Sequence, residues 1–176
     1  MTIIVLRLGH RIVRDKRITT HVCLAARALG ADGVILSGEK DSSVISSVEK
    51  IIERWGGKFS IEYERNWRKI IKDKKEKGWE IIHLTMYGER IQDKIQSIRN
   101  SGKDKLIIVG GEKVPFEVYE EANYNIAVTN QPHSEVAALA ICLHEIFEGK
   151  ELDKELEGGH IKLEPSERSK KIINLP

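Results

Sequence analysis

Cysteine is almost missing from this 176-residue chain: Cys23 and Cys142 stand apart in apolar surroundings, with no CxxC spacing. A disulfide framework and a cysteine-rich zinc site are thereby excluded. The two read as packed thiols of a cytoplasmic protein. Long apolar runs are also lacking. Nothing approaches the ~20 residues that cross a bilayer, and the strand-like start at 2–8 carries no signal-peptide cleavage pattern. A soluble protein without membrane contact is expected. Neither sign of charge prevails, since 29 basic and 27 acidic residues leave a net +2, so a polyanion must be met by a local patch. The dinucleotide fingerprint GxGxxG, the GxxxxGK[ST] loop, the GxSxG elbow and HExxH are all absent. Histidines 10, 21, 83, 133, 144 and 160 show no metal-ligand spacing, and nothing calls for a metal. There is no internal repeat or low-complexity linker.

What is present is a length suited to one well-buried core, read as a domain over 1–150 with an extension over 151–176. Lys and Glu dominate the 32% of charged residues, a balance reported for proteins from hot environments. The organising stretch is 125–143, NIAVTNQPHSEVAALAICL, which passes from an apolar strand through a polar turn into an Ala-rich helix. Ser134 suits the helix cap, and a helix so uniformly apolar is expected to be buried on nearly every face. Strand-loop-helix junctions expose backbone N–H groups, which makes this turn the first candidate site.

Upstream, residues 2–8 read as a first strand, 9–17 (GHRIVRDKR) as a basic loop, and 19–29 as a helix stopped by Gly30. A buried strand at 32–37 follows, then a helix at 44–55 capped by Ser42 or Ser43, and an alternating edge strand at 58–64. Residues 66–77 form a basic helix anchored by Trp67, Ile70 and Ile71. A strand at 79–86 ends at Tyr87-Gly88; Ile91, Ile95 and Ile98 mark a helix; a strand at 105–109 ends at Gly110-Gly111; a short helix covers 116–122. The tail at 158–176 reads as a terminal β-hairpin. Alternating strands and helices argue for an α/β fold, a mostly parallel sheet covered by helices on both faces. In such a sheet the loops LTMYG, VGGEKVP and VTNQPHS emerge together at the carboxyl edge. Gly110-Gly111 offers close main-chain approach to a ligand.

Those three loops, in the order LTMYG, LIIVGGEKVP and NIAVTNQPHSEVAALAI, resemble the ligand loops of the SPOUT methyltransferases. The segment RDKRITTHVCLAARALGADGVILSGEKD is similar to the first motif of the ribose-methylating branch. The resemblance covers nearly the whole chain, about 1–148 and a family-specific tail. It implies a carboxyl-terminal trefoil knot, S-adenosylmethionine as cofactor, a tRNA ribose 2′-hydroxyl as acceptor, and a homodimer in which the first motif of one subunit completes the other's site. It also implies a cofactor pocket built from Leu84, Thr85 and Gly88, from Val109, Gly110, Gly111 and Glu112, and from Val128, Thr129, Asn130 and Ser134.

A ribose 2′-hydroxyl attacking a sulfonium methyl in line must be positioned and must lose a proton. The family places an Arg and an Asn in the first motif, where this chain has Leu24 and Ile18. Arg17, oriented by Asp15, is the favoured substitute and His21 the second. In the third motif the usual Ser-Leu-Asn is replaced by His133-Ser134-Glu135. RNA contacts are expected from Arg11 and Arg14 and from Arg65, Arg68, Lys69 and Lys72 beside Trp67; a solvated charged face is the competing account of that helix. Two other readings stay open at this stage: a non-catalytic RNA binder of the same fold, and a flavodoxin-like nucleotide-binding module without RNA.

Overall fold

The computed structural model describes residues 1–111 and 113–175. Strands β1 (Ile3–His10), β2 (Gly33–Gly38), β3 (Ser60–Tyr63), β4 (Glu80–Arg90), β5 (Lys105–Gly110) and β6 (Tyr124–Ala127) alternate with six helices. These are α1 (Ile12–Ala28), α2 (Ser42–Trp55), α3 (Trp67–Glu76), α4 (Ile91–Asn100), α5 (Phe116–Glu121) and α6 (Glu135–Phe147). The sheet order is β3-β2-β1-β5-β4-β6, and each described pairing in it is parallel. The crossovers cover both faces, as the alternation of elements predicts. Period-two alternation along β1 feeds both cores: Ile3 and Val5 pack with α1, α2, α4 and α6, whereas Leu6 and Leu8 pack with α3 and α5.

The basic segment at 9–17 is mostly helix, not loop, because α1 already begins at Ile12. Its first N–H groups are met by acids that a forward search for a cap misses. Glu39, just beyond β2, accepts from the Ile12 N–H at 2.7 Å, and Asp15 reaches back to the Arg11 N–H at 3.1 Å. The cap of α2 is likewise displaced, from the expected serines to Asp41, whose carboxylate accepts from the N–H groups of Ser43 and Val44 at 2.9 and 3.3 Å. A charged acceptor outcompetes a hydroxyl there. Asp41 also lies 3.4 Å from His10 Nε2, while His10 Nδ1 meets Thr19 Oγ1 at 2.8 Å, so one buried imidazole joins β1, α1 and the start of α2.

Ser134 caps α6 as expected, its Oγ accepting from the Ala137 N–H at 3.2 Å. The helix is not buried all round, however. Ala137, Ile141 and His144 recur at helical spacing on its outer side, and Ile141 is 45% exposed. Strand β4 also departs from expectation. It pairs with β6 over residues 82–84, leaves the ladder at 85–88, and pairs again at Glu89 and Arg90, so that Ile126 faces both Leu84 and Glu89. Gly88 lies so close to β6 that a Cβ there would sit 2.5 Å from the Asn125 carbonyl carbon. The excursion is clasped by Asn130, whose amide donates to the Met86 and Gly88 carbonyls at 2.7 and 3.2 Å.

A 3₁₀ turn at Lys150–Asp153 leads to the expected antiparallel hairpin, β7 (Ile161–Glu164) with β8 (Lys171–Asn174). Its root is fastened to the end of α2: the Gly57 N–H donates to the Glu157 carbonyl at 2.7 Å and the His160 N–H to the Arg54 carbonyl at 2.9 Å. Among the described residues no helix is long and apolar enough to cross a membrane, and no group of three or more His, Cys, Asp or Glu could hold a metal.

Candidate active site

Neighbouring parallel strands β5, β4 and β6 open on one edge, and the segments that follow them surround a cleft of about 620 Å³. Leu84 and Thr85 line it from β4, Val109, Gly110 and Gly111 from β5, and Pro132, His133 and Ser134 from the turn before α6. The facing wall is α1 with the residue just before it, through Arg11, Arg14, Asp15 and Ile18. Main chain and small groups dominate where Gly110 and Gly111 pass. A Cβ on Gly111 would meet only Glu135 Oε1, at an ordinary 3.7 Å, so the glycine leaves the cleft floor open rather than relieving a clash.

The charges behind the cleft are ordered. Arg7, fully buried in the middle of β1, pairs through Nη2 with Glu135 Oε1 at 3.2 Å. Burial pushes the Glu135 carboxyl above its usual range against the pull of Arg7, and Asp15 adds to the rise. For Asp15 burial acts upward too, but the hydrogen bond and charge of Arg11, with Arg7 behind, bring it below the ordinary carboxylate value. Arg11 Nε lies 3.0 Å from Asp15 Oδ2. Asp15 thus orients Arg11.

The opposite wall is polar in another way. His83, fully buried on β4, places Nδ1 2.9 Å from Asn125 Oδ1 and stands edge-on to the Tyr119 ring with centroids 4.6 Å apart. Tyr119 in turn shares a hydrogen bond with Thr85 Oγ1 at 3.0 Å. Burial lowers the His83 pKa, with a smaller upward pull from Asn125, so the ring is neutral near pH 7.

A second cleft of about 700 Å³ adjoins the first and shares Arg11, Arg14, Gly111 and Val114 with it. Arg65, Lys113, His10 and Trp67 also line it, so its lining is rich in cationic side chains. The inner cleft therefore opens beside a surface suited to phosphates.

Of the residues expected from sequence, Leu84, Thr85, Val109, Gly110, Gly111, Ser134 and Asp15 meet at the inner cleft. Gly88 and Asn130 do not line it but shape the 85–88 excursion, whose Met86 and Tyr87 do, and Val128 packs against the core. Thr129 is exposed and does not line the cleft. Glu112 lies outside the described residues. Arg17 and His21 are exposed on α1 and line neither cleft, although Arg14, one and two turns before them on the helix, lines both. Arg11, Arg14 and Arg65 line the second cleft, whereas the cations of α3 are matched by acids: Arg68 with Glu117 at 2.7 Å, Lys69 with Glu64 at 3.7 Å, Lys72 with Glu76 at 3.9 Å. Arg68 also stacks on Trp67, 4.3 Å from the ring centroid.

Sequence reasoning passed over Arg7, His83, Tyr119 and Glu135 as site residues. A signal existed for two of them. A charged or imidazole side chain in the middle of an apolar strand, as in IIVLRL and EIIHL, must be paired or must face a ligand.

Residues 55–173 match the family described as Trm56, tRNA ribose 2′-O-methyltransferase, aTrm56. The chain belongs to this family. A Methanosphaera stadtmanae protein named tRNA (cytidine(56)-2′-O)-methyltransferase is 57% identical over 171 residues, covering 97% of this chain and 98% of the relative. A Thermococcus kodakarensis protein of the same name is 56% identical over 176 residues, covering 98% of this chain and 97% of the relative. Among solved structures, the SpoU methyltransferase AviRb from Streptomyces viridochromogenes, in complex with the cofactor AdoMet, shares the fold with a TM-score of 0.60 at 14% identity. That match covers 84% of this chain and 57% of AviRb. The Trm56 family and the SpoU-like fold agree with the SPOUT resemblance of the three loops.

Proposed function

We propose that this protein transfers a methyl group from S-adenosylmethionine to the ribose 2′-hydroxyl of cytidine 56 in tRNA. The observation that carries the reading is the continuity of two clefts: one floored by glycine main chain at the ends of β4, β5 and β6, the other lined by Arg11, Arg14, Arg65 and Lys113. Family membership and the names of its relatives supply the nucleotide.

The inner cleft fits the cofactor. Its volume is that of a small-molecule site, Gly111 leaves the floor clear, and the wall carries buried polar groups in the style of a nucleoside pocket. When bound, S-adenosylmethionine supplies an electrophilic methyl on a sulfonium sulfur. The chain's residues do the rest. The clasp of Asn130 on Met86 and Gly88 fixes the loop beside Leu84 and Thr85, and Arg11, held by Asp15, presents its guanidinium at the lip shared with the second cleft. A nucleotide whose phosphates lie against Arg11, Arg14 and Arg65 has its ribose brought to that lip, and positioning of this kind supplies much of the rate.

Arg17, and secondarily His21, act on the hydroxyl from the partner subunit of a homodimer, because neither side chain lines a cleft of its own protomer. The exposed Ile12, Val13 and Ile141 supply apolar surface for that interface. The likeness of the fold to SpoU methyltransferases supports a knotted carboxyl-terminal half, and residues 151–176 form an extension that braces the dimer or the tRNA. The protein works in the cytoplasm, where tRNA is processed.

Mass spectrometry of tRNA fragments after incubation with S-adenosylmethionine tests the reading. One added methyl on the ribose of nucleotide 56 is expected; a base methyl, or tRNA retarded on a gel without methylation, refutes it. Arg17→Ala should lower the single-turnover rate at least tenfold, about 1.4 kcal/mol of barrier.

A further inference from the structure

Of the three Trp, four Tyr and three Phe of the chain, only Tyr87 and Phe116 are exposed. Tyr87 lines the inner cleft and belongs to that site. Phe116, 72% exposed, lines neither cleft, yet it stands between them: Pro115 before it lines the second, and Tyr119, one turn on, lines the inner one. Its ring is not loose. It lies nearly parallel to the Tyr119 ring, at 20° with centroids 6.1 Å apart, and the Tyr119 hydroxyl is itself tied to Thr85 Oγ1 at 3.0 Å. A flat apolar surface is thus held in one orientation and left in water. A planar ligand that covers it gains apolar contact and has little side-chain freedom to take away.

Which ligand follows from the neighbours. Arg11, Arg14, Arg65 and Lys113 of the second cleft suit phosphates, and cations beside an aromatic ring are how unpaired nucleic acid is held, backbone on the charges and base on the ring. The apolar groups assigned to the dimer, Ile12, Val13 and Ile141, lie on α1 and α6 instead. The acceptor ribose comes to the lip at Arg11, Arg14, Gly111 and Val114, and Phe116 is two residues beyond Val114. The base on that ribose is the planar group nearest to the ring. We propose that the base of the nucleotide being methylated is turned out of the tRNA and stacks on Phe116. Turning a base out forfeits its stacking on its neighbours, and the waiting ring offsets that loss. Every base has a π-face, so the contact supplies affinity and does not choose cytosine. This rests on the reading of the second cleft as the tRNA phosphate site.

Binding of the full-length protein to tRNA assembled with cytidine or with an abasic ribose at position 56 tests it. Phe116→Ala should weaken the cytidine tRNA at least about fivefold and the abasic tRNA less than about twofold, so that losing the ring and losing the base are not additive. Phe116→Trp, which keeps a stacking face, should bind the cytidine tRNA within about twofold of the wild type or more tightly. A tRNA with uridine at position 56 should lose as much as the cytidine tRNA in Phe116→Ala. Equal losses on cytidine and abasic tRNA, or no loss on either, overturn the assignment. S-adenosylhomocysteine should bind Phe116→Ala within about twofold of the wild type; a loss there in place of tRNA affinity makes Phe116 a prop for Tyr119 and overturns the stack. A change of oligomeric state in Phe116→Ala, seen by sedimentation, makes the ring a contact between copies of this chain and overturns it as well. Wild-type protein that binds neither tRNA overturns the tRNA site itself, a failure distinct from wild-type binding that Phe116→Ala leaves unchanged.

Discussion

Arg7 Nη2 lies 3.2 Å from Glu135 Oε1, joining the middle of β1 to the first turn of α6 through a pair whose arginine is fully buried. Arg7 Nε and Glu135 Oε2 are buried without hydrogen-bond partners among the described residues, so the pair is incompletely compensated. Removing one partner strands the other charge. Arg7→Met or Glu135→Leu alone should cost about 3–5 kcal/mol in urea unfolding. The double variant should cost less than the sum by at least about 1 kcal/mol. Additive losses would show that the two groups act independently.

Two glycines separate stability from binding. A Cβ on Gly88 would press on the Asn125 carbonyl carbon at 2.5 Å, a backbone group that cannot swing aside. Gly88→Ala should lose about 3 kcal/mol or more of unfolding free energy. Gly111→Ala meets only Glu135 Oε1 at 3.7 Å, so stability should hold within about 0.5 kcal/mol. It fills the floor of the cleft, however, and titration calorimetry should find S-adenosylhomocysteine bound about tenfold more weakly, or about 1.4 kcal/mol.

Stability should decline on the acid side in two stages. His83 has a folded pKa below its ordinary 6.5, so the folded state prefers the neutral ring; that preference is complete above 6.5 and is lost as pH falls through the folded value. Asp15 and Asp41 lie below their ordinary 3.8, and their contribution disappears only in stronger acid. Glu135, raised above 4.5, works the other way, favouring the folded state at low pH and losing that contribution as pH rises. Melting curves from about pH 3 to 8 check the order, and His83→Phe should remove the first stage while leaving the second.

The thiols should be inert in the native protein. Burial pushes both Cys23 and Cys142 up to about 12, so thiolate is scarce at about pH 8 and no path leads to it. A disulfide reagent should react with neither until denaturant is added; rapid labelling of the folded protein would contradict the packing.

The sheet was legible because its central strands begin as short apolar runs and its edge strand β3 alternates, and the three ligand loops followed once those strands were parallel. Ser134 could be recognised as a cap because its partner is three residues on. The start of α1 could not, since Glu39, which satisfies the Ile12 N–H, is 27 positions away in sequence. The same holds for the inner site. Arg7 finds Glu135 across most of the chain, and His83 finds Asn125 42 positions on, so their roles exist only after folding. The 85–88 excursion of β4 was hidden for a related reason: residues that look like the end of a strand return to the partner they have just left.

The hairpin's attachment has a mechanical consequence. Gly57 and Arg54, at the end of α2, are hydrogen-bonded to Glu157 and His160 on either side of Gly158-Gly159, and a side chain on Gly159 would run into the Trp55 carbonyl carbon at 2.5 Å. The two glycines that would look like a swivel are thus a clamp, and the arm cannot nod without dragging the last turn of α2. Whatever β7 and β8 press against is met by a stiff lever whose fulcrum is the last turn of a helix packed on the sheet.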